Sequence, residues 1–405
     1  MRQKQTAFDK ALGFITASIE EVKEITKLQK KFLQWLFEKW VMLPGRHNFL
    51  NIFRYGDGQY CERSIRDQFS RNINFFCWFQ SAFSSMKGKE CIAVFDPSYI
   101  KKSGKKTYGK GKFWSGKDQQ TKDGLEIGCL ALTDVSDGTA YSMEAVQTPS
   151  DTQGKLVEHY VGIINKRVKE ILSYTSYLAA DGFFMKKSFI EPIRKAGLHI
   201  ITKMRPDANL HYLYTGKQKA GRGRKKTYEG KVDVKNIDKG KWNKCYEQDD
   251  MTGYELKVWC IALKQEVKAV YLTSKNRQGY AILLSTDTQM QGAKIIGYYQ
   301  LRFQIEFLIR DAKQHAGLEE CQARSETKLY NHFNMALMTV SLMKLTCWAS
   351  LEGRHDIAFS MRSIKTWFYN KFLTETIFSN LGIELNCQKT KSLYLKCLEI
   401  GQMAA

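Results

Sequence analysis

Proline is scarce in this chain, five residues in 405, and no stretch rich in proline or in glycine and serine divides it. The sequence therefore offers no flexible linker between domains. Its ten cysteines are scattered, with no Cys-x-x-Cys and no cysteine pair near a histidine pair at zinc spacing. That pattern excludes the common structural zinc sites. The thiols read as reduced, as in a cytoplasmic protein, and packed as small hydrophobes. Seven histidines show no obvious catalytic pairing. No apolar run is long enough to span a bilayer; the longest, Phe333 to Leu342, contains Asn334. The opening residues, MRQKQTAFDKALGF, have no continuous apolar core and no small-residue cleavage site, so no signal peptide is expected. No internal repeat is present.

Acid is also in short supply. Sixty-three Lys and Arg against 41 Asp and Glu leave a formal net charge of +22, with a pI of about 9.4. At 43% hydrophobic and 13% aromatic the chain is globular. A field of this size points to a polyanionic partner. A membrane surface is the rival, but no basic amphipathic anchor stands out, and no membrane partner is expected.

Residues 1–87 read as helices. ITKLQKKFLQWLFEKWVML has apolar residues at helical spacing and stops at Leu43-Pro44-Gly45. CERSIRDQFSRNINFFCWFQSAF resumes the period, with Arg63, Arg66 and Arg71 among Phe69, Phe75 and Phe76. Two short helices about a turn suit docking in a DNA major groove. A helical bundle with its charges in water explains the pattern equally well. At Glu90 the period changes. Glu90 to Phe95 reads as a strand that ends at Asp96-Pro97-Ser98, which puts a carboxylate where α/β sites usually lie. The loop expected after it carries eight lysines from Lys101 to Lys122 against one acid, interleaved with Tyr99, Tyr108, Phe113 and Trp114. Such a loop suits a phosphate backbone with partly unstacked bases, and makes Lys101, Lys102, Lys105, Lys106 and Trp114 candidate DNA contacts. A merely solvated loop is the alternative.

Two strands follow, joined by the Asp137-Gly138 hairpin signal. Then come a helix, the strand SYLAAD ending at Asp181, a second helix and the strand LHIITKMR. Three hairpin-connected strands followed by alternation predict an α/β fold with a ribonuclease H-like mixed sheet. In such a sheet Asp96 on the first strand and Asp181 on the fourth would be neighbours. Over 206–275 the composition turns basic, with eleven cations against three acids from Lys217 to Lys244, and then alternates like β-strands. This reads as a β-rich insertion with a basic arm at 216–230. The expected organisation is a helical DNA-binding region (1–87), a core (88–205), the insertion (206–275), the rest of the core (276–325) and a helical C-terminal region (326–405). The first helix of that last region is apolar nearly all round and should be buried.

The stretch from Gln291 to Gly317 predicts one long helix closed by a glycine. Tyr299, Arg302, Glu306 and Lys313 fall within roughly 60° of one another on its surface, along about 21 Å. The bland explanation is a solvated face with an i,i+4 Arg–Glu pair. The alternative joins Glu306 to Asp96 and Asp181. Three carboxylates can hold two Mg²⁺ ions, which prefer oxygen ligands, with Mn²⁺ as a substitute. Such a pair activates a water or a 3′-OH and stabilises the leaving oxygen of a phosphodiester, so no general-base histidine is needed. Arg302 and Lys313 would neutralise phosphate charge alongside.

The spacing Tyr299-x2-Arg302-x3-Glu306-x6-Lys313 resembles the Tyr-Arg-Glu-Lys signature of the DDE transposases of bacterial insertion sequences, in their type 4 family. FDPSYIKKSGKKTYG around Asp96 and LAADGFF around Asp181 resemble that family's two Asp motifs, although Gly182-Phe183-Phe184 stands where many relatives have a Trp or Tyr pair. The resemblance covers about Leu43 to Leu345. It implies a ribonuclease H-like core split by an insertion, and cut-and-paste transposition with divalent metal. It implies that Asp96, Asp181 and Glu306 are catalytic and bind metal, and that Tyr299, Arg302 and Lys313 contact transposon-end DNA. Terminal repeats and target DNA would be the partners, and synapsis of two ends implies at least a homodimer. An insertion aromatic, Trp242 or Trp259, would hold a flipped base. A metal-dependent nuclease of the same fold that never joins strands is the competing reading.

Overall fold

The computed structural model describes residues 2–152, 154–205, 209–218, 225–276, 278–350 and 359–402, with side chains from residue 11 onward except at 349 and 350. Residues 219–224 of the expected basic arm lie outside them. The chain opens with helices α1 (Arg2–Glu20), α2 (Lys27–Met42), α3 (Phe49–Arg54), α4 (Glu62–Gln68) and α5 (Phe75–Ala82). Strands β1 (Cys91–Lys101), β2 (Gly111–Ser115), β3 (Gln120–Asp134) and β4 (Thr139–Gln147) follow. Next come α6 (Leu156–Lys166), α7 (Val168–Leu172), β5 (Tyr177–Ala180), α8 (Lys187–Lys195) and β6 (His199–Lys203). The β-rich stretch holds β7 (Leu210–Leu213), β8 (Tyr228–Lys231), β9 (Asn243–Gln248), β10 (Met251–Cys260) and β11 (Gln265–Ser274). After β12 (Tyr280–Ser285) the chain is helical: α9 (Gly292–Leu301), α10 (Gln304–His315), α11 (Glu326–Ser350), α12 (Met361–Asn380) and α13 (Gln388–Glu399).

All described strands join one sheet in the order β2-β3-β1-β5-β6-β12-β11-β10-β7-β8, with β4 on β3 and β9 on β10. The long β3 pairs with all of β1 from Gly124 to Asp134, while β2 and β4 take successive parts of its other edge. Strands β1, β5 and β6 are parallel. The β-rich stretch does not form a sheet of its own, because β11 pairs with β12 and β12 with β6.

Helix α11 is buried nearly all round, as its composition predicts, and several of its polar residues bond to backbone. Asn334 accepts from the Ala145 N–H at 2.8 Å and donates to the Ala145 carbonyl at 2.9 Å, while Ser341 accepts from the Ser142 N–H at 2.9 Å. Both contacts satisfy the edge strand β4 near its bulge, where no further strand pairs. The N-terminal helices share this core. Trp40 donates to the Ala316 carbonyl, and Asn331 donates to the carbonyls of Phe69 and Arg71. Phe69, Phe75 and Phe76 are buried, and Arg63, Arg66 and Arg71 are exposed. The aromatic–arginine interleaving is thus a packed face alternating with a solvated one.

The sequence and structure part in four places. Strand β1 does not end at Asp96 but runs on to Lys101. Beyond Phe95 it has β3 as neighbour but no longer β5, so Pro97 sits beside an open edge where a missing N–H need not break the ladder. The lysine-rich loop contains β2, whose Phe113 turns inward between exposed Lys112 and Trp114. The predicted helix 291–317 is two helices: Arg302 and Phe303 bond to Tyr299 and Gln300, and Ile305 and Glu306 bond to Arg302 and Phe303, all at i−3. This tightened 3₁₀ join advances about 120° per residue and re-phases the stripe. The tail holds α13, for which the sequence has no clear signal.

The stop at Gly317 is as expected. Gly317 has φ +71°, and Leu318 N–H bonds back to the Ala312 carbonyl. A β-carbon there would overlap the buried His47 ring. Gly317→Ala is expected to lower stability by about 2 kcal/mol or more, since strain at positive φ adds to the clash. Denaturant unfolding checks this; an unchanged midpoint would contradict it.

Candidate active site

Strand β1 runs parallel to β5 with Val94 beside Ala179. Two residues on, Asp96 and Asp181 fall side by side where β5 ends and β1 continues. The parting of the strands opens a notch with a carboxylate on each wall. Asp181 caps the turn Gly182–Phe184 by accepting from the Phe183 N–H at 2.9 Å, and its carbonyl takes the Thr202 hydroxyl at 2.8 Å. The acid just past β5 is therefore held from both its side chain and its backbone.

The join between α9 and α10 lies over this notch. Arg302 is 6% exposed and donates to Glu306 at 2.9 Å. Its guanidinium stands 5.7 Å from the Tyr299 ring centre. Burial pulls the Arg302 pKa down, but Tyr299, Glu306 and Asp96 around it more than offset this and hold it above its ordinary value. Burial drives Asp96 the other way: its carboxyl is pushed up to about 7, with the negative charges of Asp181 and Glu306 adding to the shift and Arg302 opposing it. The Tyr299 phenol is raised by burial, with Arg302 opposing and Asp181 adding. The three acids and Arg302 thus sit within one another's fields.

Among the described residues, no three His, Cys, Asp or Glu side chains stand close enough to hold a metal ion. Glu306 is turned onto Arg302 instead. The donor set nevertheless suits a hard divalent cation. It is all carboxylate oxygen, and one member, Asp96, is pushed toward its neutral form by burial, with the charges of the other two adding. Glu306 would join Asp96 and Asp181 by leaving Arg302.

The other expected contacts divide. Lys313 donates to the Tyr99 carbonyl at 2.6 Å and pairs with Glu319 at 3.2 Å, so it ties α10 to β1 three residues from Asp96. Lys102 differs from its neighbours: it is half-buried, and its ammonium donates to the carbonyls of Cys321 and Ala323. Lys101, Lys105 and Lys106 are exposed, and Trp114 is 57% exposed. Trp242 is buried and Trp259 stacks on Tyr228 at 5.8 Å. Sequence reasoning gave no role to Phe183, Phe303 or Phe307. All three are exposed beside the acids, with Lys186, Arg302 and Arg310 respectively over their rings at 3.6, 4.4 and 4.8 Å. For Phe303 and Phe307 the available signal was two aromatics at i,i+4 beside a polar stripe.

The family described as Transposase DDE domain matches residues 87–342, more than half of the chain. The chain belongs to the transposase DDE domain family. No curated protein matches it. The matched span contains Asp96, Asp181 and Glu306 and stops within α11. Membership makes the protein an enzyme that acts on DNA by transposition-related nuclease chemistry, in a family that generally uses divalent metal ions. No described helix is long and apolar enough to cross a membrane.

Proposed function

We propose that this is a transposase of the type 4 family of bacterial insertion sequences. It binds the terminal inverted repeats of its element as at least a dimer, cleaves the ends, and joins the freed 3′-OH groups to target DNA. The observation that carries this reading is the register of β1 on β5, which carried two residues further would set Asp96 level with Asp181, with the charge of Glu306 acting on Asp96. The strand order β4-β3-β1-β5-β6, antiparallel and then parallel, supports a ribonuclease H-like core, with 206–275 as its insertion. Asp96, Asp181 and Glu306 would hold two Mg²⁺ ions, or Mn²⁺, which supply an activated oxygen nucleophile and a stabilised leaving oxygen. Arg302 keeps a buried Nε N–H with no acceptor among the described residues, a donor that a phosphate oxygen would satisfy. Lys101, Lys105, Lys106 and Trp114 lie on the exposed basic surface that would follow the DNA backbone.

A labelled, pre-cut end incubated with supercoiled plasmid and Mg²⁺ tests the reading. Covalently joined product is expected. End cleavage with no joined product would instead identify a nuclease that lacks strand transfer.

A further inference from the structure

Helix α9 has no cap of its own. Its N-cap residue is Gln291, whose side chain bonds no helix N–H, and its first turn carries no acid. The cap comes from 37 residues upstream: Glu255 in mid-β10 accepts from the Gly292 N–H. Glu255 is fixed in turn by Lys268 of β11, at 2.9 Å, and both side chains are largely buried. A glycine is required here, since a β-carbon at 292 would lie 2.6 Å from Glu255 Oε2. Two residues along β10, Lys257 donates to Gln289 at 3.2 Å, so the same strand face also holds the segment that leads into the helix. Gly253 on that face lets Ile296 of α9 lie close, a β-carbon there falling 3.1 Å from Ile296.

Helix α9 therefore lies across a seam. One end rests on β9, β10 and β11, and it also packs on β12, β6 and β5. Helix α10 packs instead on β1, β3, β4 and α11. The 3₁₀ join at Arg302-Phe303 links the two, and it separates Tyr299 and Arg302 from Glu306. The Arg302–Glu306 contact thus reports the pose of one helix relative to the other.

We propose that Glu255 and Lys268 are positioning residues, through which the basic β-rich stretch sets the pose of α9 and so the place of Arg302 against Glu306 and Asp96. This rests on the reading of the acids as catalytic. It goes beyond that reading by making the β10–β11 pair part of the active-site scaffold about 15 Å from the chemistry, one ten-residue helix away. DNA held by the cations of that stretch would act on the acids along this path.

The test uses the full chain, Mn²⁺-dependent nicking of supercoiled plasmid, duplex DNA affinity, and hydrogen exchange at the amides of Tyr298 to Phe303. Glu255→Gln keeps an oxygen for the Gly292 N–H but loses the pair with Lys268. It is expected to slow nicking by about tenfold or more, leave DNA affinity within about twofold, and speed exchange at the far end of α9. A second substitution, Gln291→Asp, gives the helix a cap of its own. It is expected to restore Tm but not nicking. Nicking at the wild-type rate in Glu255→Gln, unchanged exchange at the far end, or rescue of both Tm and nicking by Gln291→Asp would overturn the proposal. If Glu255→Gln does not fold, Lys268→Gln carries the same readouts. If the wild-type protein does not nick, the catalytic reading fails, while the exchange comparison still decides the positioning role.

Discussion

Replacing Glu306 by Gln is expected to reduce metal-dependent end cleavage by a factor of about 10³ or more while leaving end binding within a few-fold. Glutamine preserves the size of the side chain and an oxygen for the Arg302 N–H, which in the wild-type protein reaches Glu306 at 2.9 Å. What it removes is one of the negative charges that acts on Asp96. If Glu306 were only the partner of an ion pair, Gln would still offer buried Arg302 an acceptor, and the loss would appear in stability rather than in a metal-dependent rate. The size of the rate loss therefore separates a structural pair from a metal ligand. Gel-shift affinity and cleavage of a labelled end in Mg²⁺, measured on one preparation, check both halves. Cleavage within tenfold of wild type would remove Glu306 from the site.

The candidate site was legible because its parts sit on regular elements. Asp181 follows an apolar strand and Glu306 lies on a helix, so periodicity alone gives their positions. The fold pattern then makes Asp96 and Asp181 neighbours, and the register of β1 on β5 sets them level. The extent of β1 was not legible, since Pro97 argues for a strand end unless one knows that β5 has already parted from it. The break at Arg302-Phe303 carries no glycine or proline and is imposed by packing, α9 on one half of the sheet and α10 on the other. Lys102 shows the limit of composition. Eight lysines spread over loop and strand look alike in sequence, yet one is folded onto two carbonyls of the Cys321–Ala323 segment. The cap of α9 by Glu255 is invisible for the same reason, because it joins residues 37 apart, from the face of a sheet to a helix.

Asp96→Asn is expected to raise the stability of the metal-free protein at pH 8, by about 1–3 kcal/mol, while abolishing cleavage. The sign follows from its titration. An unfolded Asp has a pKa of about 3.9. In the folded protein burial, reinforced by Asp181 and Glu306, raises Asp96 to about 7. Between those values the folded state binds the proton that the unfolded state has released. The stabilising contribution of protonated Asp96 is fully present below the unfolded value and is lost as pH rises through about 7. Metal-free wild-type protein should therefore lose stability from pH 5 to pH 8 relative to Asp96→Asn, which has no such group. Buried His47 and His332 work in the opposite sense, since burial lowers both and they resist charging below their unfolded range, with His332 at about 3. They are common to both proteins and cancel in the difference. Mg²⁺ should flatten the same difference by stabilising the ionised carboxylate of the wild type alone. Chemical denaturation of the two proteins at pH 5, 6.5 and 8, with and without Mg²⁺, measures the effect. A pH-independent difference between them would mean that Asp96 ionises like an exposed carboxylate, and that the notch between β1 and β5 stores no charge for a cation to relieve.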